Sequence, residues 1–85
     1  MDECFIIGRV VSKPTFKFFY KGNDISICYF KIQESENTIH ICAFNNLADF
    51  VYREVKEGQL IFVYGRACGL NKSKIYVRIK TYKIL

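Results

Sequence analysis

Positively charged side chains are concentrated in the last third of this 85-residue chain. Lys and Arg number 13 against 8 Asp and Glu, which gives a formal net charge of +5. No acidic residue follows Glu57, whereas the basic residues of this stretch are Arg66, Lys72, Lys74, Arg78, Lys80 and Lys83. Clustered ammonium and guanidinium groups attract polyanions such as a phosphate backbone. We therefore expect the C-terminal third to contact a negatively charged ligand.

Aromatic side chains are interleaved with these charges. A core of this size cannot bury even these ten of the chain's rings: Phe16, Phe18, Phe19, Tyr20, Tyr29, Phe44, Phe62, Tyr64, Tyr76 and Tyr82. Exposed rings stack on any nucleobase while neighbouring cations neutralise phosphates, a combination typical of proteins that bind single strands without sequence preference. A protein interface would use the same exposed rings, so both classes of partner stay open.

Catalytic and metal-binding patterns are weak. The carboxylates form no D-x-D or H-E-x-x-H motif, and no nucleophile elbow is present, so we expect neither an enzyme nor a cofactor. The cysteines Cys4, Cys28, Cys42 and Cys68 contain no C-x-x-C pair, and His40 is the only histidine. We therefore interpret the cysteines as small apolar residues. His40 and Cys42 would share one face of a strand, which leaves a metal site as the lesser alternative.

The composition predicts one globular domain over residues 1–85. The chain is 51% hydrophobic with a single proline, and its length suits one core. No apolar run is long enough to cross a membrane, and the acidic opening Asp2-Glu3 is unlike a secretory signal. We expect a cytoplasmic protein without a membrane partner.

The apolar periodicity predicts an all-β fold with one short helix. Strands are expected over residues 4–11 with a continuation over 15–20, and over 25–32, 38–44, 60–67 and 75–80. A helix is expected over 46–57, with Asn46 as its N-cap and Gly58 as its stop. This order is typical of a five-stranded Greek-key OB-fold barrel with the helix between strands 3 and 4.

Two of the predicted strands carry information about side-chain direction. In the third, Ile39, Ile41 and Ala43 point inward, so His40 and Phe44 point outward. In the second, the apolar parity changes near Cys28, because Ile25 and Ile27 alternate out of phase with Phe30 and Ile32. Such a change predicts a β-bulge near Cys28.

Several sequence blocks occur in the order of one known family. Residues 6–14 read IIGRVVSKP, residues 41–44 read ICAF and lead into Leu-Ala at 47–48, residues 56–58 read KEG, and residues 61–66 read IFVYGR. With these blocks the chain resembles the bacterial single-stranded DNA-binding protein family. The blocks extend over nearly the whole chain.

The resemblance implies an OB barrel, a homodimer or homotetramer, and single-stranded DNA as the ligand in replication, recombination or repair. Phe44 lies where family members commonly carry a base-stacking aromatic residue, whereas Thr38 and Lys72 lie near positions where members often carry tryptophan. The sequence ends at Leu85 without the acidic tail of many members. It is therefore also similar to tail-less primosomal replication proteins, so replication or primosome proteins are further candidate partners.

The predicted DNA-binding residues follow from the pattern of aromatic and basic side chains and from the family resemblance. Phe44 is expected to stack on a base, and Lys31 and Lys74 are the preferred phosphate contacts. The remaining candidates are Lys17, Phe18, Tyr20, His40, Lys72 and Arg78. Phe62 and Tyr64 are expected to point outward, where a subunit interface or a nucleic acid could use them equally well, and self-association would bury them. The alternative function is an OB-fold protein-interaction or primosome-assembly module with weak or RNA-directed nucleic-acid binding.

Overall fold

The computed structural model describes residues 3–20, 22–71 and 74–85, with the side chains of residues 68–71, 74 and 75 outside that description. The elements in chain order are β1 (Glu3–Val10), β2 (Thr15–Phe19), β3 (Ile25–Glu34), β4 (Asn37–Phe44), α1 (Asn46–Glu54), β5 (Leu60–Asn71) and β6 (Lys74–Ile84). No helix in these ranges is long and apolar enough to cross a membrane.

β1 and β2 are the two halves of the first predicted strand. β1 pairs antiparallel with β5 and then passes to β3, through the pairs Arg9↔Gln33 and Val10↔Ile32. β2 continues along β3 in the same antiparallel sense. Pro14, which has no N–H to donate, lies buried in the connection between the two halves. The first strand of the barrel therefore pairs with β5 through β1 and with β3 through the end of β1 and through β2.

This shared strand closes the sheet into a barrel. β5 pairs with both β1 and β6, and β6 runs parallel to β4 from His40↔Tyr76 to Cys42↔Arg78. α1 lies between β4 and β5, the third and fourth strands of the barrel. The predicted five-stranded OB-type barrel with one short helix is confirmed.

The core is formed by alternate residues of the strands. Ile39, Ile41 and Ala43 are buried as predicted, and α1 adds Ala48 and Val51 to the same cluster. Among the described residues no polar or charged residue is buried. The free energy that stabilises the barrel therefore comes chiefly from apolar burial.

The helix is shorter than expected. Asn45, not Asn46, holds the N-cap position, and its side-chain oxygen accepts a hydrogen bond from the Ser26 N–H at 3.4 Å instead of capping the helix. The helix ends at Glu54 because Val55 turns to an extended conformation that places its side chain in the core. The prediction that the helix reaches residue 57 is wrong.

The β-bulge predicted near Cys28 is also wrong. β3 keeps an unbroken register with β2 and β4, so Ile25 and Ile27 point outward, and Ile25 is 38% exposed. Ile25 and Ile27 are apolar although they lie on the outer surface, and for this reason the sequence pattern suggested a change of inward-facing parity. Register shifts occur instead between β5 and β6, at Tyr64/Gly65 and at Gly69/Asn71. At the first of these, a Cβ on Gly65 would stand 2.2 Å from the Arg78 carbonyl oxygen.

Candidate nucleic-acid interface

A groove of about 690 Å³ runs across the outer surface of the barrel where β3, β4 and β6 lie side by side. Its position follows from the antiparallel register, which places Ile27 opposite Phe44, Tyr29 opposite Cys42, and Lys31 opposite His40. Because side chains alternate along a strand, all of these outward residues share one face. The groove is lined by Ser12, Lys13, Thr15, Ile27, Tyr29, Phe30, Lys31, His40, Ile41, Cys42, Phe44 and Tyr76.

Aromatic rings form much of this surface. Tyr29 is 40% exposed, and the Lys17 ammonium lies 5.8 Å from the centre of its ring. The half-buried Phe44 ring has the Arg78 guanidinium carbon 4.3 Å from its centre. Both rings therefore have a cation within the range of a cation–π interaction.

A second pair of rings lies at the β4–β6 contact. His40 and Tyr76 are register partners in the parallel pair, and their ring centres are 5.0 Å apart at an angle of 32°. Ring centres at this distance lie within the range of favourable aromatic contact, so each ring helps to hold the other in place. The wall of the groove thus presents aromatic surface on all three strands.

The connection between β1 and β2 forms one edge of the groove and is held to β3. The Lys31 N–H donates to the Ser12 hydroxyl at 2.7 Å, and the Val11 N–H donates to the Lys31 carbonyl at 2.9 Å. Lys31 itself is exposed, and Lys13 lines the groove from this edge. Among the described lining residues there is no Asp or Glu, so the groove attracts anions.

The structure brings together several of the predicted site residues. Phe44, Lys31 and His40 line the groove, while Arg78 and Lys17 lie over two of its rings. Phe44 has the outward direction that alternation predicted. Their roles in binding stay predictions.

Phe18 and Tyr20 do not join the groove. Phe18 alternates with Lys17 along β2 and so points to the opposite side of the hairpin, where the Tyr20 ring packs against it edge to face at 4.7 Å. Tyr20 is 76% exposed there. Lys72 lies outside the described residues, as does the side chain of Lys74.

Tyr29 and Tyr76 are groove residues that the site prediction omitted. Tyr29 had a usable signal, since the buried Cys28 and Phe30 on either side require it to point outward. Tyr76 reaches the groove only through the parallel pairing of β4 with β6, which joins residues 36 positions apart. Local periodicity contains no trace of that pairing.

Another aromatic surface covers β1 and β5. We call it the β1–β5 face, and it consists of Phe5, Ile7, Phe62 and Tyr64. Phe5 is 70% exposed, and its ring centre lies 4.6 Å from that of Tyr64. Hydrogen bonds from Lys80 and Tyr64 hold the pKa of the Glu3 carboxyl below its usual value at one edge of this face. Phe62 and Tyr64 are half-buried beside the more exposed Phe5 and Ile7.

The described cysteines do not form a reactive centre. Cys28 is fully buried, and burial raises the pKa of its thiol to about 11. Cys42 points its sulfur at the Val77 carbonyl oxygen, 3.7 Å away. Within the described residues no three His, Cys, Asp or Glu side chains come together as metal ligands.

Comparisons with known proteins agree with this architecture. The model of the single-strand binding protein family matches residues 1–78. The fold is similar to that of the SSB domain of a Synechococcus sp. protein, with a TM-score of 0.85, 12% identity, and coverage of 96% of this chain and 93% of that one. It is similar to the second single-stranded DNA-binding protein of Mycobacterium smegmatis, with a TM-score of 0.79, 16% identity, and coverage of 99% and 86%.

An archaeal domain is also similar in fold. The second OB-fold domain of replication protein A from Methanococcus maripaludis gives a TM-score of 0.78 at 23% identity, with 95% of this chain and 81% of that one covered. A search of curated proteins finds no match. The family match spans most of the chain and agrees with the blocks noted in its sequence, and on that ground the chain belongs to the single-strand binding protein family.

Proposed function

We propose that this protein binds single-stranded DNA in the groove, largely without sequence preference and without catalysing a reaction. The observation that carries the proposal is the mixture of rings and cations in one depression, with Tyr29 and Phe44 beside Lys17, Lys31 and Arg78. Rings of this kind stack on bases, and the cations contact phosphates.

The groove favours single strands over duplex. A base can stack on Tyr29 or Phe44 only when it has left its own neighbours, which costs more in a duplex. α1 carries Phe50 and Tyr52 on its exposed surface and packs against the barrel, so it is not a recognition helix for a major groove. The rings accept any base, which explains the expected lack of sequence preference.

The role proposed in the cell is protection or handling of single strands during replication, recombination or repair. In this role the protein would interact with replication or primosome proteins. The proposed compartment is the cytoplasm. Support comes from the family and from the chemistry of the groove.

The proposal also includes self-association through the β1–β5 face. A contiguous apolar surface that includes a 70% exposed Phe5 is unusual on a monomer and is typical of an interface. Light scattering should give the mass of a dimer or tetramer. Phe5→Ser should shift it toward the monomer, because an exposed aromatic anchor is lost without disturbing the core, whereas a monomeric wild-type protein would contradict the proposal.

The experiment for DNA binding is a titration of fluorescent oligo-dT at two salt concentrations. Affinity should fall steeply with salt, because each neutralised phosphate releases a counterion. Unlabelled oligo-dT should displace the probe far better than a duplex of equal length. Equal displacement by duplex would reduce the protein to a general polyanion binder, and salt-independent or absent binding would favour the protein-interaction alternative.

A further inference from the structure

A second cluster of aromatic and basic side chains lies on the other side of the β1–β2 connection, against α1. We call it the Tyr52 site, and it consists of Tyr52, Phe16, Lys13 and Lys56. Tyr52 is 50% exposed, and its ring rests on Phe16 with the ring centres 5.4 Å apart. Depressions of about 480 and 400 Å³ adjoin this ring. Tyr52 thus offers a positioned and accessible aromatic surface.

The charges around Tyr52 are predominantly positive. Lys13 and Lys56 line the smaller depression, and neither is in an ion pair within the described part of the chain. Arg53 and Asp49 line the larger one, where the Arg53 guanidinium is directed toward the Phe50 ring at 5.1 Å. Two unpaired ammonium groups beside an exposed ring suit a phosphate and a base, whereas lysine is depleted at the centre of protein interfaces.

The Tyr52 site is continuous with the groove. Lys13 lines both the groove and the smaller depression, so the β1–β2 connection is a ridge shared by the two. The hydrogen bonds that join Val11 and Ser12 to Lys31 hold this ridge in place. A strand that leaves the groove across Ser12 and Lys13 meets Tyr52 next.

We propose that the Tyr52 site extends the path of single-stranded DNA beyond the groove, with one base stacked on Tyr52 and the adjacent phosphates at Lys13 and Lys56. This inference rests on the proposed function of the groove. The path would lengthen the strand covered by one barrel without adding any element to the fold. It also assigns Tyr52, one of the exposed aromatic residues of α1, to the same ligand as the groove.

The test is binding of oligo-dT of increasing length, from about 4 to about 16 nucleotides, the range that OB folds cover. Short oligonucleotides that fill only the groove should bind wild type and Tyr52→Ala equally. Longer ones should lose at least roughly fivefold in affinity with Tyr52→Ala, the loss expected for one stacking aromatic. Phe50→Ala is the matched control, since Phe50 is equally exposed on the same helix but lies beside Leu47 and Ile84.

Lys56→Gln provides an independent readout at a side chain whose truncation leaves the core intact. For long oligonucleotides the slope of log affinity against log salt should fall by roughly 0.7, and for short ones it should stay unchanged. Equal losses of affinity for long oligonucleotides with Tyr52→Ala and Phe50→Ala would overturn the proposal. It would also be overturned if the effects of both Tyr52→Ala and Lys56→Gln on binding were the same for short and long oligonucleotides. Absence of binding by wild type to short oligonucleotides would instead overturn the function of the groove itself.

Discussion

The groove and the β1–β5 face are both aromatic surfaces on the outside of one barrel, yet their charges differ. In the groove, Lys31 and Arg78 have no ion-pair partner among the described residues. At the β1–β5 face, the Lys80 ammonium is paired with the Glu3 carboxylate. Both regions have exposed rings, so the availability of the neighbouring cations is what separates them.

Removing one ring from each surface should have the largest effect. Phe44→Ala should cost ~1–3 kcal/mol of binding to a short oligo-dT and leave its salt dependence unchanged, because a stacking platform is lost but no charge. Phe5→Ala, the matched variant on the β1–β5 face, should bind the short oligonucleotide like wild type. Fluorescence titration measures both.

A melting curve must accompany the Phe44 measurement, because that ring is half-buried. A folded Phe44→Ala protein that binds like wild type at every salt concentration would remove the distinction between the two surfaces. Loss of binding in Phe5→Ala but not in Phe44→Ala would indicate that the β1–β5 face, and not the groove, binds the oligonucleotide.

Removing one cation from each surface should have a smaller effect. Lys31→Gln should lower the slope of log affinity against log salt by about 0.7, the contribution of one phosphate on a single strand. Lys80→Gln should leave the slope unchanged, because this ammonium is already paired with Glu3. Equal slopes for both variants would show that the Lys80–Glu3 ion pair does not prevent Lys80 from contacting a phosphate, so that ion pairing does not distinguish the two regions.

The smallest effect concerns the pH dependence of stability at the β1–β5 face. Because hydrogen bonds from Lys80 and Tyr64 lower the pKa of Glu3 from its ordinary value of 4.5, the ionised carboxyl stabilises the folded state above that pH. This contribution is lost as pH falls through the lowered pKa. Thermal melting should show a slightly higher stability for wild type than for Lys80→Gln at neutral pH, and the two should converge in acid. A difference that grows as pH falls below 4.5 would contradict this assignment.

Much of the site could be predicted from local pattern. Alternation around Ile39, Ile41 and Ala43 placed His40 and Phe44 on the outside, and the structure agrees. The same rule failed near Cys28. Ile25 and Ile27 are apolar residues on the outer surface, and alternation alone predicts that apolar residues point inward. Residue type and position in the chain favour Phe18 and Tyr20 as site residues, but alternation with Lys17 directs Phe18 away from the groove, and the Tyr20 ring packs against Phe18.

The sequence by itself determined the order of elements and the family, because hydrophobic period and short motifs are properties of neighbouring residues. Only the tertiary structure decided which outward side chains meet. Tyr76 and Arg78 reach His40 and Phe44 through a parallel pairing of distant strands, and Lys13 joins two depressions because its connection is hydrogen-bonded to β3. Contacts of this kind depend on how the barrel closes, and closure is set by register between strands that no local pattern contains.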